Sequence, residues 1–390
     1  MAKGIPITAY VIRNALGDNA DAVFAALRAG HSGVRVRAAS LDLPFEVPVG
    51  FLLTEPPALP VQLAHFDSRP ARLLWMLVDS IAGPVERALA RWGKDRVAFI
   101  LGTSAAGSSE TQVAYRSYMA TGHAPAGFDY DDHVPRALLD VGRARFGFTG
   151  PSYVVSTACS SSAKVFGVAQ RLLKGGICDA ALVGGVDTLC QLTVRGFQSL
   201  SLLSKNGCRP FAQDRDGTSL GEGGALLLLE RDGDGPAQLL GVGESQDAFH
   251  MTAPHPEGLG AIAAMRLALE QAGLAPLDVD YANAHGTATL QNDAAEALAF
   301  HTLFADRVPV SSTKGFTGHT LGAGGATEAV FSIMAIQHGW IPPNLGAGVI
   351  DPAFRIQVAR EPLHRRCRVV LSNSFAFGGN NASVIFGAAA

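Results

Sequence analysis

Tyr153-Val-Val-Ser-Thr-Ala-Cys159-Ser-Ser-Ser-Ala163 reads as a strand that turns directly into a helix. The apolar residues before the turn are β-branched or aromatic. After it, Phe166, Ala169, Leu172 and Leu173 recur at helical spacing and mark one buried face. Gly175-Gly176 ends that helix. A thiol at this turn faces unpaired N–H groups and the positive end of a helix dipole, and both favour thiolate. The small neighbours Ser160, Ser161 and Ser162 leave room for a substrate carbonyl. By itself Cys159 fits an inert buried thiol equally well.

Working outward, apolar strand-like segments alternate with helical ones, which gives an α/β layered fold. Strands are expected at 96–101, 153–158, 180–183, 279–282, 308–311, 369–371 and 383–386. A weak internal repeat is visible. Ala163-Lys-Val-Phe-Gly-Val-Ala-Gln opens one amphipathic helix, and Glu328-Ala-Val-Phe-Ser-Ile-Met-Ala opens another. Each half closes on a Gly-rich turn running into a strand, at Gly221 and at Gly378. The polar turn Arg231-Asp-Gly-Asp-Gly-Pro separates the halves, at 1–232 and 233–390.

Composition narrows the function. The 390 residues are 48% hydrophobic and carry 31 Lys plus Arg against 34 Asp plus Glu. No basic stripe points to nucleic acid. Met1 to Asp18 lacks the pattern of a signal peptide, and Ala225–Leu229 is too short to span a bilayer. The five cysteines (Cys159, Cys178, Cys190, Cys208 and Cys367) form no CxxC pair and no metal-ligand spacing. A reduced, cytoplasmic protein with no metal site is expected.

Two histidines stand apart. His285 lies in Asn283-Ala-His-Gly-Thr-Ala-Thr289, after a strand, with Asp293 further on. His319 lies in Lys314-Gly-Phe-Thr-Gly-His-Thr320, before a helix. Side chains at strand ends and helix starts point into clefts. Two imidazole donors aimed at one oxygen would stabilise an enolate. Gly217-Thr-Ser-Leu-Gly221 matches the serine-hydrolase pattern, but it runs from a polar loop toward a strand rather than from strand to helix.

The ordered set T-A-C-S-S, A-H-G-T, K-x-x-x-G-H and F-G-G resembles β-ketoacyl-acyl-carrier-protein synthases of the elongating type. That resemblance implies the duplicated thiolase fold, layered α-β-α-β-α in two pseudo-symmetric halves. It implies a decarboxylative Claisen condensation with malonyl-acyl-carrier-protein, in fatty-acid or specialised polyene or polyketide elongation. By resemblance, Cys159 is the acyl-accepting nucleophile, and His285 and His319 assist decarboxylation and condensation. Lys314 orients the second histidine, and Glu328 belongs to a buried polar network. Phe377 and Cys159 supply oxyanion N–H groups, and Phe377 gates the mouth. Asp247 begins the facing gate loop, with Thr252 near the entrance. Thr287 and Thr289 bind the phosphopantetheine arm, which arrives on the carrier protein, so no cofactor of its own is implied. Lys205 meets the acidic carrier. A dimer is implied, of two copies or with a related ketosynthase-like subunit. Asn283, Ala288 and Ala376 depart from the motif, where Glu, Gly or Ser, and Gly are usual; Ala376 is expected to restrict the gate. The alternatives are a non-catalytic partner subunit, which typically lacks the nucleophile, and a CoA-dependent thiolase, which needs a second catalytic Cys; Cys367 lies outside any Gly-rich turn and reads as structural.

Overall fold

The computed structural model describes residues 4–37 and 41–389. Its centre is an eleven-stranded sheet. In chain order the strands are β1 (Ile5–Asn14), β2 (Val97–Gly102), β3 (Ser152–Val155), β4 (Ala180–Asp187), β5 (Gly223–Glu230), β6 (Ala237–Gln246), β7 (Tyr281–Asn283), β8 (Pro309–Ser311), β9 (Gln357–Val358), β10 (Val369–Ala376) and β11 (Asn380–Ala388). Principal helices around it are α1 (Arg69–Ser80), α2 (Ser161–Lys174), α3 (Gln191–Ser199), α4 (Leu259–Ala272), α5 (Leu290–Phe304) and α6 (Gly324–His338).

The strand order repeats. One half runs β3-β2-β4-β5-β1 and the other β8-β7-β10-β11-β6, with β9 added at the far edge. In each, the first three strands are parallel and the last two antiparallel to their neighbours. The halves join where Ile5, Pro6 and Ile7 of β1 pair with Leu239, Gln238 and Ala237 of β6. The sequence reading did not include β1 or β6 among its strands.

Side-chain alternation builds the layers. Ala181 and Val183 of β4 face one core, while Ala180, Leu182 and Val186 face another. On β5, Ala225, Leu227 and Leu229 face the first core, and Leu226 and Leu228 the second. The first core holds α2 and α6 between the two sheet halves. The second holds α1 outside β4 and β5, and a third holds α4 and α5 outside the opposite half. The result is the five-layer α-β-α-β-α arrangement. Helix α6 is buried on every side from Gly324 to Ile336, so it is not the amphipathic helix its sequence suggested. A helix in the middle layer has no solvent face to make polar.

The central helices touch at their N-terminal ends. Ser162 Oγ accepts a hydrogen bond from Ala326 N at 2.9 Å. A Cβ on Gly325 would lie 2.5 Å from Ala163 N, and one on Gly102 would lie 2.4 Å from Ser162 N. Gly325→Ala is therefore expected to destabilise the protein by about 1–3 kcal/mol through overpacking. Gly196→Ala, in α3 with no atom within 4 Å of the new methyl, should instead stabilise it by up to about 1 kcal/mol. Denaturant unfolding of both variants checks this; a neutral Gly325→Ala would mean the helices do not meet there.

Candidate active site

Strand β3 stops at Val155, earlier than the reading to 158, because its last ladder contact is with Gly102 and the chain then turns. Ala158 takes a left-handed backbone with φ 50°, which an alanine adopts only under constraint. Thr157 N donates to Ser161 Oγ at 2.9 Å, and Ser161 Oγ donates to Ala158 O at 2.6 Å. Ser160 Oγ donates to Thr157 O at 2.9 Å. Ser160, Ser161 and Ser162 are fully buried. Their hydroxyls brace the turn and the helix contact, so they do not open space for a substrate carbonyl, contrary to the sequence reading.

Cys159 is 7% exposed. Burial pushes its thiol up to about 12, against the opposing pull of Lys314. The expected thiolate is thus not the resting form. A helix dipole contributes at most about 2 kcal/mol, and taking an unpaired anion out of water costs more.

His285 follows β7. Glu296 of α5 accepts from His285 N at 2.8 Å and from Gly286 N at 2.7 Å, and Asn373 Nδ2 donates to it at 3.2 Å. Asp293, one helical turn earlier, accepts from Phe211 N at 2.7 Å and Ala288 N at 3.1 Å. Both carboxylates are buried, and burial pushes Glu296 up to about 7 and Asp293 up to about 6. Ala288 sits at φ 63°, which explains why a glycine suits that position. Sequence reasoning noted Asp293 without a role and missed Glu296. The signal was available: two acids three residues apart on the helix face of Ala297, Phe300 and Phe304.

His319 N donates to Ser219 O at 2.7 Å, and Gly221 N donates to His319 O at 2.9 Å. The hydrolase-like Gly217–Gly221 stretch therefore holds His319, and Ser219 itself is fully buried. The two imidazoles lie 5.3 Å apart between centroids and perpendicular, at 89°. Lys314 donates to Glu328 in a buried ion pair. Burial raises the Glu328 carboxyl, and Lys314 opposes that rise. Burial first, then Lys314, holds both histidines well below their ordinary range. Each is a neutral imidazole near neutral pH. His285 Nδ1 and both ring nitrogens of His319 have no partner among the described residues.

Cys159, His285 and His319 line one cavity of about 350 Å³. Thr287, Thr289, Thr252, Asp247 and Phe377 line it too. Thr287 and Thr289 hydroxyls are 2.9 Å apart, and Phe377 stacks on Phe197 at 5.6 Å. Asp247 faces the turn at Phe377. Its carboxylate accepts from Asn381 Nδ2 at 2.9 Å and its N–H donates to Gly379 O at 2.9 Å, which tethers the turn at Phe377. Ala376 has φ −131°, ordinary extended backbone, and Gly378 and Gly379 supply the positive φ. In this conformation the alanine needs no glycine backbone. Lys205 is exposed outside the cavity; its N–H donates to Asp216 at 3.2 Å, and Asp216 lines the mouth. Cys367 is 1% exposed in the central core, away from the cavity, which leaves no second thiol for thiolase chemistry there.

Two outcomes follow from this geometry. Alkylation of Cys159 by iodoacetamide should accelerate about tenfold per pH unit from pH 7 to 9, whereas a plateau centred near pH 7 would mean that the dipole outweighs burial. Lys314→Met should cost about 3–5 kcal/mol in denaturant unfolding by leaving Glu328 unpaired, and adding Glu328→Gln should recover part of it; full additivity of the two would contradict the pairing.

The comparisons with known proteins fit this geometry. Residues 87–234 match the model described as "Beta-ketoacyl synthase, N-terminal domain", and 236–347 match "Beta-ketoacyl synthase, C-terminal domain". The mitochondrial 3-oxoacyl-[acyl-carrier-protein] synthase of Arabidopsis thaliana is 40% identical over 279 residues, which cover 65% of this chain and 60% of that protein. The chain thus matches less than two thirds of that relative's length. The 3-oxoacyl-[acyl-carrier-protein] synthase 2 of Staphylococcus aureus is 34% identical over 75% of this chain and 77% of its own. A ketosynthase from Xenorhabdus doucetiae, solved in complex with its chain length factor, superposes with a TM-score of 0.92. It is 40% identical and covers 99% of this chain and 98% of that one.

Proposed function

The chain belongs to the β-ketoacyl synthase family, and from that premise we propose that it lengthens an acyl chain by decarboxylative Claisen condensation on a carrier protein. The observation that carries this reading is the meeting of Cys159, His285 and His319 in one cavity.

In the first half-reaction, Cys159 Sγ attacks the thioester carbonyl of an acyl chain on a phosphopantetheine arm. The carbon–sulfur bond to the arm breaks. The departing thiol takes the proton that Cys159 gives up, so the exchange is neutral overall and does not need a resting thiolate. The Cys159 and Phe377 N–H groups serve the tetrahedral oxyanion. Thr287, Thr289 and Thr252 hold the arm.

In the second half-reaction, a malonyl thioester occupies the same arm site. Its carboxylate leaves as CO2, and the bonding electron pair moves onto the thioester as an enolate. Neutral His285 and His319 donate hydrogen bonds to the enolate oxygen. Neutrality matters here, because an imidazolium would be too costly in this buried site and would repel Lys314. The enolate carbon attacks the Cys159-bound carbonyl, and the sulfur leaves and regains a proton. The product is a β-ketoacyl chain on the carrier. Lys314 and Glu328 act as positioning residues behind His319. No cofactor beyond the carrier's phosphopantetheine enters this scheme.

Lys205 meets the acidic carrier from its exposed place beside the mouth. The similarity to a ketosynthase solved with its chain length factor favours a related second subunit over two identical copies. The departure from the family motif at Asn283, where Glu is usual, is the ground for reading a specialised polyene or polyketide product over a housekeeping one. Among the described residues no helix is long and apolar enough to cross a membrane. A non-catalytic subunit is disfavoured by the intact Cys159, His285 and His319.

Intact-mass spectrometry tests the nucleophile. Incubation with an acyl-carrier-protein thioester should add one acyl mass to the wild type and none to Cys159→Ala; an adduct that survives in the variant would remove Cys159 from its role. Lys205→Glu should raise KM for the carrier-linked donor and leave kinetics with a small soluble thioester unchanged.

A further inference from the structure

The gate turn at Phe377–Gly379 is tied almost wholly to its own half of the chain. Gly378 N donates to Met251 O at 2.7 Å, Asp247 N donates to Gly379 O at 2.9 Å, and Asn381 Nδ2 donates to Asp247 Oδ1 at 2.9 Å. One side-chain hydrogen bond among the described residues crosses from residues 376–381 to the half that carries Cys159. Lys164 Nζ donates to Asn380 Oδ1 at 3.0 Å.

Both ends of that bond are well placed. Lys164 is in the first turn of α2, the helix that Cys159 precedes. Asn380 is the first residue of β11, pairs with Ala376 across the turn, and so forms the root of the gate. The Lys164 side chain is 13% exposed.

The surroundings argue against simple charge pairing. Glu244 of β6 is the nearby carboxylate, and it lies 3.9 Å from Lys164 Nζ. Its closer partner is Arg171, at 3.1 Å. Gly167, between the two cations on the same helix face, lets Glu244 approach; a Cβ there would fall 2.5 Å from Glu244 Oε1. Lys164 thus directs its shortest contact to a neutral amide, although burial penalises its charge. A half-buried cation whose shortest contact is an uncharged amide gains little charge pairing from it, and this contact joins the nucleophile helix to the root of the gate.

We propose that Lys164 is a positioning residue that fixes the root of the gate turn to the nucleophile helix and so holds the Phe377 N–H in place beside Cys159. The bond sets the distance between two oxyanion donors that otherwise belong to different halves of the chain. This rests on the reading of the chain as a ketosynthase.

A mutant cycle on the full-length protein tests it. Lys164→Met and Asn380→Ala are made singly and together, with Lys164→Arg as the conservative variant and Arg171→Gln as a control that weakens only the Glu244 pairing. Amide hydrogen exchange is followed at residues 377–380. Acylation of Cys159 by an octanoyl-carrier-protein thioester is followed in a single turnover. Lys164→Met and Asn380→Ala should each speed gate exchange and slow acylation about tenfold, with the double variant no worse than either alone. Lys164→Arg should restore most of both, and Arg171→Gln should change neither. Multiplying effects in the double variant, unchanged gate exchange, or an Arg171→Gln that reproduces Lys164→Met would overturn the proposal. Asn380→Ala alone decides it through gate exchange if Lys164→Met does not fold. Failure of the wild type to be acylated would count against the ketosynthase reading, and the exchange data would still decide the latch.

Discussion

Ser162 Oγ accepts from Ala326 N at the point where α2 and α6 meet, and the site exists because those two helices can come that close. Each is the central helix of its own half. Cys159 stands just before one, and His319 just before the other. Bringing their N-terminal ends together therefore brings the nucleophile and one imidazole to a single cavity. The approach depends on the absence of a side chain at Gly325, and Gly102 likewise lets α2 lie close on β2; at both a methyl would collide with main chain. Duplication supplies two like halves, and this contact turns them into one site.

Dryness then sets the chemistry. The same burial that pushes the Cys159 thiol up to about 12 keeps His285 and His319 neutral. A site built to hold a resting thiolate would place a cation against the sulfur and let water in. Here Lys314 is instead committed to Glu328, and its charge acts on the histidines from behind. Neutral imidazole donors suit an enolate that appears only during reaction. The carboxylates of Glu296 and Asp293 hold the His285 loop by its backbone N–H groups and leave the ring free.

Much of this was legible in the sequence, because it rested on local patterns. The β-strand before Cys159, the turn, and the helix after it follow from residue types and spacing. So does the placing of His285 and His319 after and before regular elements. What was not legible depends on partners distant in the chain. Strand β1 is one of a pair that joins the halves, and its own residues do not name that neighbour. The serines after Cys159 look like open space until Ala326 is seen against Ser162. The state of the thiol was misread because a helix dipole is visible locally, whereas burial is the summed effect of the whole fold. The positive φ angles of the turn fall at Gly378 and Gly379, and only the dihedral angles show it.

The central claim is that one cavity couples loss of a carboxylate to formation of a carbon–carbon bond. It is tested most directly by supplying the wild-type protein with an acyl-carrier-protein donor and malonyl-carrier-protein labelled with 13C in its free carboxyl group. The account predicts one labelled CO2 released for each β-ketoacyl product, and no label in that product. Label retained in the product, or chain extension without CO2 release, would contradict it.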